Sequence, residues 1–184
     1  MHKLKGHFNL VMDLVCLPNG HLVSCSHDKT IKVWDLLGNK FIREMTGHAR
    51  EVSCIAVLKS GNLASGSHDK TIKIWTLKSS ECVKTLQGHT GYVLRLQALE
   101  NGGLVSCSED RTIKMWNVNE CVCIRTLLGH TSMVKSIKMH GNHSFLTSCS
   151  SDGTIKVWDL KTGDCVNTID SQCDKQNLLD FIYL

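Results

Sequence analysis

Serine, histidine and aspartate lie close together in this sequence, and these types supply the nucleophile, base and orienting acid of many hydrolases. The segment SHDKTIKVWD at residues 26–35 contains all of them and ends in Trp-Asp. Related segments return as SHDKTIKIWT at 67–76, SEDRTIKMWN at 108–117 and SSDGTIKVWD at 150–159. A nucleophile must reach its substrate, and four equivalent copies leave no unique centre. The recurrence therefore favours a structural role over catalysis.

The dipeptide Gly-His recurs with a fixed period, at residues 6–7, 47–48, 88–89 and 129–130, each pair 41 residues after the one before. The tryptophans follow at steps of 41, 41 and 42 residues, at positions 34, 75, 116 and 158. The extra residue lies in the segment MHGNHS at 139–144, a turn that can absorb an insertion. Self-similarity at this period is the signature of a repeat architecture.

Each repeat has the pattern of short β-strands separated by turn residues. In the second repeat these segments are EVSCIAV, LASGS, TIKIW and CVKTL, at 51–57, 63–67, 71–75 and 82–86. They alternate polar with aliphatic, β-branched or cysteine residues, which favours strands. We therefore predict an all-β protein with four antiparallel strands in each repeat. Only the end of the chain, QNLLDFIYL at 176–184, has a pattern compatible with a helix.

A unit of this length and strand count, with Gly-His near one end and Trp-Asp near the other, resembles the WD-repeat β-propeller family. The resemblance extends from residue 1 to about residue 169. The Trp-Asp dipeptide is intact at 34–35 and 158–159, whereas the middle repeats have Trp-Thr and Trp-Asn. We predict four blades within residues 1–170, with Gly-His to Trp units at 6–34, 47–75, 88–116 and 129–158, and a tail at 171–184.

The resemblance implies a buried hydrogen-bonded tetrad in each blade, formed by the histidine of Gly-His, a serine, an aspartate and the tryptophan. The implied sets are His7, Ser24, Asp28 and Trp34; His48, Ser65, Asp69 and Trp75; His89, Ser106, Asp110 and Trp116; and His130, Ser148, Asp152 and Trp158. In such a chain each buried donor has an acceptor, as burial requires. No catalytic residue is predicted.

The resemblance also implies a partner-binding rim, with positions three and five residues after the Gly-His histidine and one before the tetrad aspartate. Those positions hold Leu10, Met12, His27, Glu51, Ser53, His68, Tyr92, Leu94, Glu109, Met133, Lys135 and Ser151. The residue before the aspartate is expected to face solvent. Tyr92 and Met133 are the strongest candidates for partner contact. The alternative for Leu10, Met12 and Leu94 is that they pack between blades.

Four blades leave open edges, because propellers of this family usually close with about seven. Two chains could pair head to tail as a homodimer with an eight-bladed ring, the chain could be part of a longer propeller, or it could close alone. We favour the homodimer. For the fourth strand of the last blade we predict residues 164–170, with residues 1–5 packing against it or fraying.

Composition narrows the functional classes. The 184 residues have a net charge of +4, and the basic residues are mostly scattered, which argues against a nucleic-acid partner. Four lysines that recur at one repeat position, Lys32, Lys73, Lys114 and Lys156, predict a solvated strand face. No apolar run is long enough to span a membrane, so neither a membrane nor an anchor is expected. We predict a cytoplasmic or nuclear protein.

The ten cysteines are then expected to be reduced. Cys25, Cys107 and Cys149 share a repeat position with Gly66, which predicts small buried side chains, and no zinc-binding spacing occurs. We expect no metal and no cofactor.

The leading functional prediction is a non-enzymatic scaffold that binds a protein or peptide on the rim. One alternative is that the chain is the propeller of a larger signalling or ubiquitin-ligase adaptor. The other is a propeller that binds a small molecule such as an inositol phosphate, which would need basic residues converging on one pocket.

Overall fold

The structure, a computed structural model, describes residues 3–140 and 144–170, and within them the chain forms sixteen β-strands in four sheets. The first sheet has β1 (Val11–Cys16), β2 (His21–Ser26), β3 (Ile31–Asp35) and β4 (Lys40–Met45). The second has β5 (Val52–Val57), β6 (Leu63–Ser67), β7 (Ile72–Trp75) and β8 (Cys82–Leu86). The third has β9 (Val93–Ala98), β10 (Leu104–Ser108), β11 (Ile113–Asn117) and β12 (Val122–Leu127). The fourth has β13 (Val134–His140), β14 (Phe145–Ser150), β15 (Thr154–Asp159) and β16 (Cys165–Asp170).

In every sheet the strands pair antiparallel with their neighbours in the sequence, so each repeat is one up-and-down blade. This confirms the predicted all-β class and four-stranded repeats of WD-repeat type. The segments predicted as strands in the second repeat match β5 to β8 within one residue at each end. The middle strand β6 is buried along its whole length, and the polar positions of its alternation are filled by small serines that fit inside the blade.

The blades stand in a row, with inner strands packed in the order β1, β5, β9, β13. We call the side of a blade that faces the following blade its trailing face, and the opposite side its leading face. At the first junction the trailing residues Val23, Ile31 and Met45 share a core cluster with the leading residues Ile55 and Trp75 of the second blade. The same arrangement recurs at the second and third junctions.

The fourth strand of the last blade is β16, which pairs with β15, so the prediction for residues 164–170 is confirmed. Residues 3–5 do not belong to a strand, and Leu4 and Lys5 line a pocket on the first blade beside Trp34. Of the two alternatives for this segment, packing against the last strand is not seen for Leu4 and Lys5, because the following His7 is hydrogen-bonded within the first blade. The tail at 171–184 lies outside the described residues.

The prediction that the recurring lysines form a solvated face is wrong for Lys32, and the other three are half-buried. Lys32 is only 4% exposed, and its amine makes an ion pair with Glu44 and lies 5.4 Å from the ring centroid of Phe41. The equivalent lysines of the other blades donate to threonines on the neighbouring strand. A long side chain on a strand flanked by others is covered along its stem, and the sequence pattern does not reveal that cover.

Candidate functional site

The structure brings the members of each predicted tetrad into one hydrogen-bonded chain. In the second blade His48 Nδ1 is 2.7 Å from Asp69 Oδ2, and His48 Nε2 is 2.7 Å from Ser65 Oγ. The indole N–H of Trp75 donates to the same serine oxygen at 2.8 Å. The other three blades repeat these contacts, with distances of 2.7–2.8 Å. The chain ties the loop before the first strand to the turn between the second and third strands.

The tetrad aspartates are held in the ionised form. Burial alone would raise the pKa of Asp69, but hydrogen bonds from His48 and Thr71 outweigh burial and hold that pKa below its usual value. In the last blade, burial lowers the pKa of His130 against the opposing effect of Asp152. A neutral imidazole protonated on Nδ1 can donate to the aspartate and accept from the serine hydroxyl. The chain then runs from indole to serine to imidazole to carboxylate.

The glycine of Gly-His is required by the tryptophan beneath it. Gly47 has a φ of +146°, and a Cβ atom there would lie 3.3 Å from Cη2 of Trp75. Residues other than glycine rarely adopt that backbone conformation. The glycine of the dipeptide therefore lets the backbone approach the indole closely, and this places the following histidine in the tetrad.

The distances in each tetrad are those of a Ser-His-Asp hydrolase, but the serine is inaccessible. The serines of the second, third and fourth blades are 0% exposed, and Ser24 of the first blade is 2% exposed. Each hydroxyl oxygen also accepts an indole N–H. Such an oxygen cannot approach a substrate carbonyl, so the arrangement is suited to holding a blade together.

The predicted rim residues come together in pairs through the backbone. In each blade the amide of the residue before the tetrad aspartate donates, at 2.9 Å, to the carbonyl of the residue three after the histidine. The pairs are His27 with Leu10, His68 with Glu51, Glu109 with Tyr92, and Ser151 with Met133. The rim positions of one blade are thus adjacent in space although they are far apart in the sequence.

A β-bulge interrupts the first strand of every blade at the remaining rim position. The pairing of first and second strands skips Met12, Ser53, Leu94 and Lys135. A bulge leaves one residue out of the ladder and changes the direction of its side chain. All four bulged residues line one pocket of about 220 Å³, together with His68 and Arg95. The bulges therefore direct one side chain from each blade to a common point.

Charged side chains surround this pocket. Arg95 Nη1 lies 3.4 Å from Asp13 Oδ2, which also accepts from the amide of Ile55 at 3.1 Å. These contacts link the first, second and third blades. Asp13 and Arg95 are not among the site residues predicted from the sequence. They occupy the same repeat position with opposite charges, which is the signal that could have indicated a cross-blade pair.

A row of rings runs along the rim beside the pocket. The rings of His27 and His68 are 5.5 Å apart, and His68 stacks on Tyr92 at 4.4 Å. The guanidinium of Arg50 lies 5.3 Å from the centroid of the Tyr92 ring. We call these four residues the rim stack. His27 and His68 are both half-buried, so the solvent-facing positions predicted before the tetrad aspartates are only partly open in the first two blades.

Two polar atoms in this region have no hydrogen-bond partner within the described residues, namely His27 Nε2 and Glu51 Oε2. Arg50 Nε lies 3.6 Å from the Glu51 oxygen, and His68 Nδ1 lies 3.7 Å from it. Burial lowers the pKa of His68, and Glu51 opposes that effect. Buried polar atoms in native proteins usually have a partner. The imidazole nitrogen can donate or accept, depending on its tautomer, whereas the carboxylate oxygen can only accept.

The apolar rim residues differ in exposure. Leu10, Met12 and Met133 are exposed, whereas Leu94 packs against the core between the third and fourth blades. The alternative of packing between blades therefore holds for Leu94 and not for Leu10 or Met12.

The described residues contain no group of three or more histidine, cysteine or acidic side chains arranged to hold a metal ion. In the same part of the chain no helix has the length and apolarity to cross a membrane.

Comparison with protein families gives one match. The model described as WD domain, G-beta repeat matches residues 1–35, 39–76, 80–117 and 121–159. Comparison with individual curated proteins gives no match.

Proposed function

Since the chain belongs to the WD-repeat family, whose domains are generally non-enzymatic scaffolds for protein interaction, we propose that it binds a protein or peptide on its rim. The observation that carries this proposal is the convergence of four bulged side chains, one from each blade, on a single pocket. A point to which every blade contributes suits one side chain of a bound peptide.

The rim offers further groups of the kind found in protein interfaces. The aromatic ring of Tyr92 and the guanidinium of Arg50 belong to residue types enriched at interface hot spots. Exposed Leu10, Met12 and Met133 provide apolar contact around the pocket.

Binding of a small molecule is the weaker candidate. The rim pocket has a volume of about 220 Å³, below the roughly 300 Å³ at which sites for drug-sized ligands begin. It also presents a mixed set of charges, because Arg95 is paired with Asp13.

The proposal is tested with a peptide selected against the full chain from a random displayed library. Its affinity is then measured by calorimetry for the wild type and for a Tyr92→Ala, Met133→Ala double variant. We expect binding to weaken about tenfold or more, since each truncation at an interface hot spot removes more than ~1 kcal/mol.

The matched control is Val122→Ala with Ile124→Ala, which truncates two exposed apolar residues on β12 away from the rim. The control should bind the peptide like the wild type, and circular dichroism should show both variants folded. Equal affinity of the rim variant and the wild type would remove the proposal.

The assembly favoured from the sequence, two chains in one eight-bladed ring, also remains a proposal. It is supported by the uncovered apolar residues at the two ends of the row, among them Val11, Leu14 and Ile169.

A further inference from the structure

The leading face of the first blade is exposed where the same face of every other blade is buried. Val11 is 49% exposed, whereas its equivalents Val52, Val93 and Val134 are all 0% exposed. Leu14 is 57% exposed, against 5% for Ile55 and 6% for Ile137. These residues, with Leu22 and Trp34, line a mostly apolar pocket of about 650 Å³. We call this pocket the socket.

The three internal junctions indicate what fills such a socket. Around Trp75 the cover is Val23, Ile31, Val33 and Met45 of the preceding blade. Around Trp116 it is Ile72, Ile74 and Leu86, and around Trp158 it is Ile113, Met115 and Leu127. The chemistry is constant, namely apolar side chains from the second, third and fourth strands of the blade before. The socket of the first blade therefore fits the trailing face of another blade.

One trailing face in the described chain is uncovered, and it belongs to the fourth blade. Ile155 and Val157 are partly exposed at the positions of the buried Ile31 and Val33. Ile169 is 50% exposed, whereas its equivalents Met45, Leu86 and Leu127 are at most 2% exposed. This face has the aliphatic residues that fill a socket elsewhere in the row.

We propose that the trailing face of the fourth blade docks in the socket of a second copy of this chain, with Ile155, Val157 and Ile169 covering the partner's Val11 and the partner's Leu14. This inference rests on the two-chain ring proposed above and identifies its contacts. A closed pair makes this junction twice, so that both copies bury both of their open faces.

The new junction lacks a contact that all three internal junctions have. Arg43 donates to the carbonyls of Leu77 and Lys78 in the next blade at 2.7 and 2.6 Å. Lys84 and Arg125 make the equivalent contacts across the second and third junctions. We call this contact the basic clamp. In the fourth blade the residue in the same register is Asn167, paired opposite Val157 as Arg43 is opposite Val33.

The absence of a basic residue at position 167 makes the junction between copies weaker than the junctions within the chain. Thr147 adds to this difference, because it stands where the other blades have Val23, Ala64 and Val105. Charged hydrogen bonds contribute more than neutral ones. The ring is therefore expected to open at these two places, while the internal junctions remain closed.

The docking is tested by sedimentation velocity of the full chain at micromolar concentration, with the wild type expected at twice the chain mass. Leu14→Arg blocks the socket, and Ile169→Asp blocks the trailing face; both positions are exposed, so folding is preserved. Each variant alone should be a monomer, because both junctions of a head-to-tail pair are then blocked. An equimolar mixture should recover dimers, because one junction is intact and the other joins arginine to aspartate.

Several outcomes would overturn the proposal. A monomeric wild type or an open series of larger oligomers would exclude the closed pair. If one of the two variants remained dimeric alone, the chains would be pairing through like faces. The control Ile124→Asp, at an exposed site on β12, should stay dimeric; its dissociation would show that the effect is not specific to the ends of the row.

The clamp is tested by Asn167→Arg, which supplies a donor for the partner's turn after Trp34, at Leu36 and Leu37. We expect the dimer dissociation constant to fall roughly tenfold or more, as for an added charged hydrogen bond. An unchanged constant would contradict the assigned register. Measuring rim-peptide affinity on the Leu14→Arg monomer separates the proposals, because loss of the dimer leaves the rim of each chain in place.

Discussion

A single serine oxygen distinguishes the tetrads from catalytic triads at the scale of the residue. In the third blade Ser106 Oγ is 2.7 Å from His89 Nε2, as a nucleophile would be, but it also accepts the N–H of Trp116 at 2.8 Å. The spacing of the repeat was sufficient to select these residues. It could not reveal the rim stack or the burial of Lys32, because those depend on which side chains of other strands and blades lie alongside.

Replacing the serine tests its structural role. We expect Ser106→Ala to lower the free energy of unfolding by about 1–3 kcal/mol, since the indole N–H and the imidazole nitrogen lose their partner in a buried site. Urea unfolding followed by tryptophan fluorescence measures the change. The control Ser60→Ala, in an exposed turn, should have a much smaller effect. Equal destabilisation by the two substitutions would contradict the buried chain.

The tetrad aspartates predict a dependence of stability on pH. The folded-state pKa of Asp69 is lowered, so the unfolded chain binds more protons in acid. The stabilisation is therefore fully present above about pH 4 and decreases as the pH falls below that value. The lowered pKa of His130 acts in the same direction below about pH 6.5, because the unfolded histidine is protonated first.

The measurement compares the wild type with Asp69→Asn at pH 7 and pH 3. We expect the variant to be less stable than the wild type by about 1–3 kcal/mol at pH 7. The difference should be smaller at pH 3, because protonation of Asp69 in the unfolded chain removes part of the stabilisation that the ionised carboxylate gives the wild type. Asp164→Asn, at an exposed turn, is the control and should follow the wild type at both values. If the difference in stability between wild type and Asp69→Asn were as large at pH 3 as at pH 7, the ionised carboxylate would not be the source of the stabilisation.

At the scale of the element, the β-bulge decides what the rim can do. Strict alternation in β1, β5, β9 and β13 would send successive side chains to opposite faces of the blade. The skipped residue breaks that alternation in each first strand. The sequence predicted the strands from their alternation. Alternation could not locate the bulges, because a bulge is a departure from the two-residue period. Those positions were predicted only from the family resemblance.

The basic clamp is an element-scale contact that the sequence analysis missed, although basic residues recur at 43, 84 and 125. We expect Arg43→Met to lower the free energy of unfolding by about 1–3 kcal/mol, because hydrogen bonds from a charged donor to two carbonyls are lost. Chemical denaturation measures the effect. Lys40→Met removes a charge from an exposed side chain of the same strand and should change little; if both variants were equally destabilised, net charge would be the cause.

At the scale of the whole molecule, burial is set by neighbours that a repeat pattern does not specify. The pattern treats Val11, Val52, Val93 and Val134 as equivalent, yet only Val11 is exposed. The sequence therefore predicted four blades correctly and gave three alternatives for how the row is completed. The residues at the two ends, and not the repeat itself, carry the information on assembly.

The buried cysteines are independent probes of how the row of blades opens. Of the described cysteines, one in each blade is buried: Cys25, Cys54, Cys107 and Cys149. Burial raises the pKa of all four thiols, that of Cys54 to about 12, so the reactive thiolate is suppressed while a blade is closed. In a solenoid-like chain each unit is stabilised mainly by its neighbours. Pulsed alkylation and mass spectrometry can therefore time the opening of each blade separately in the unmodified protein, with the end blades expected to be labelled before the middle ones.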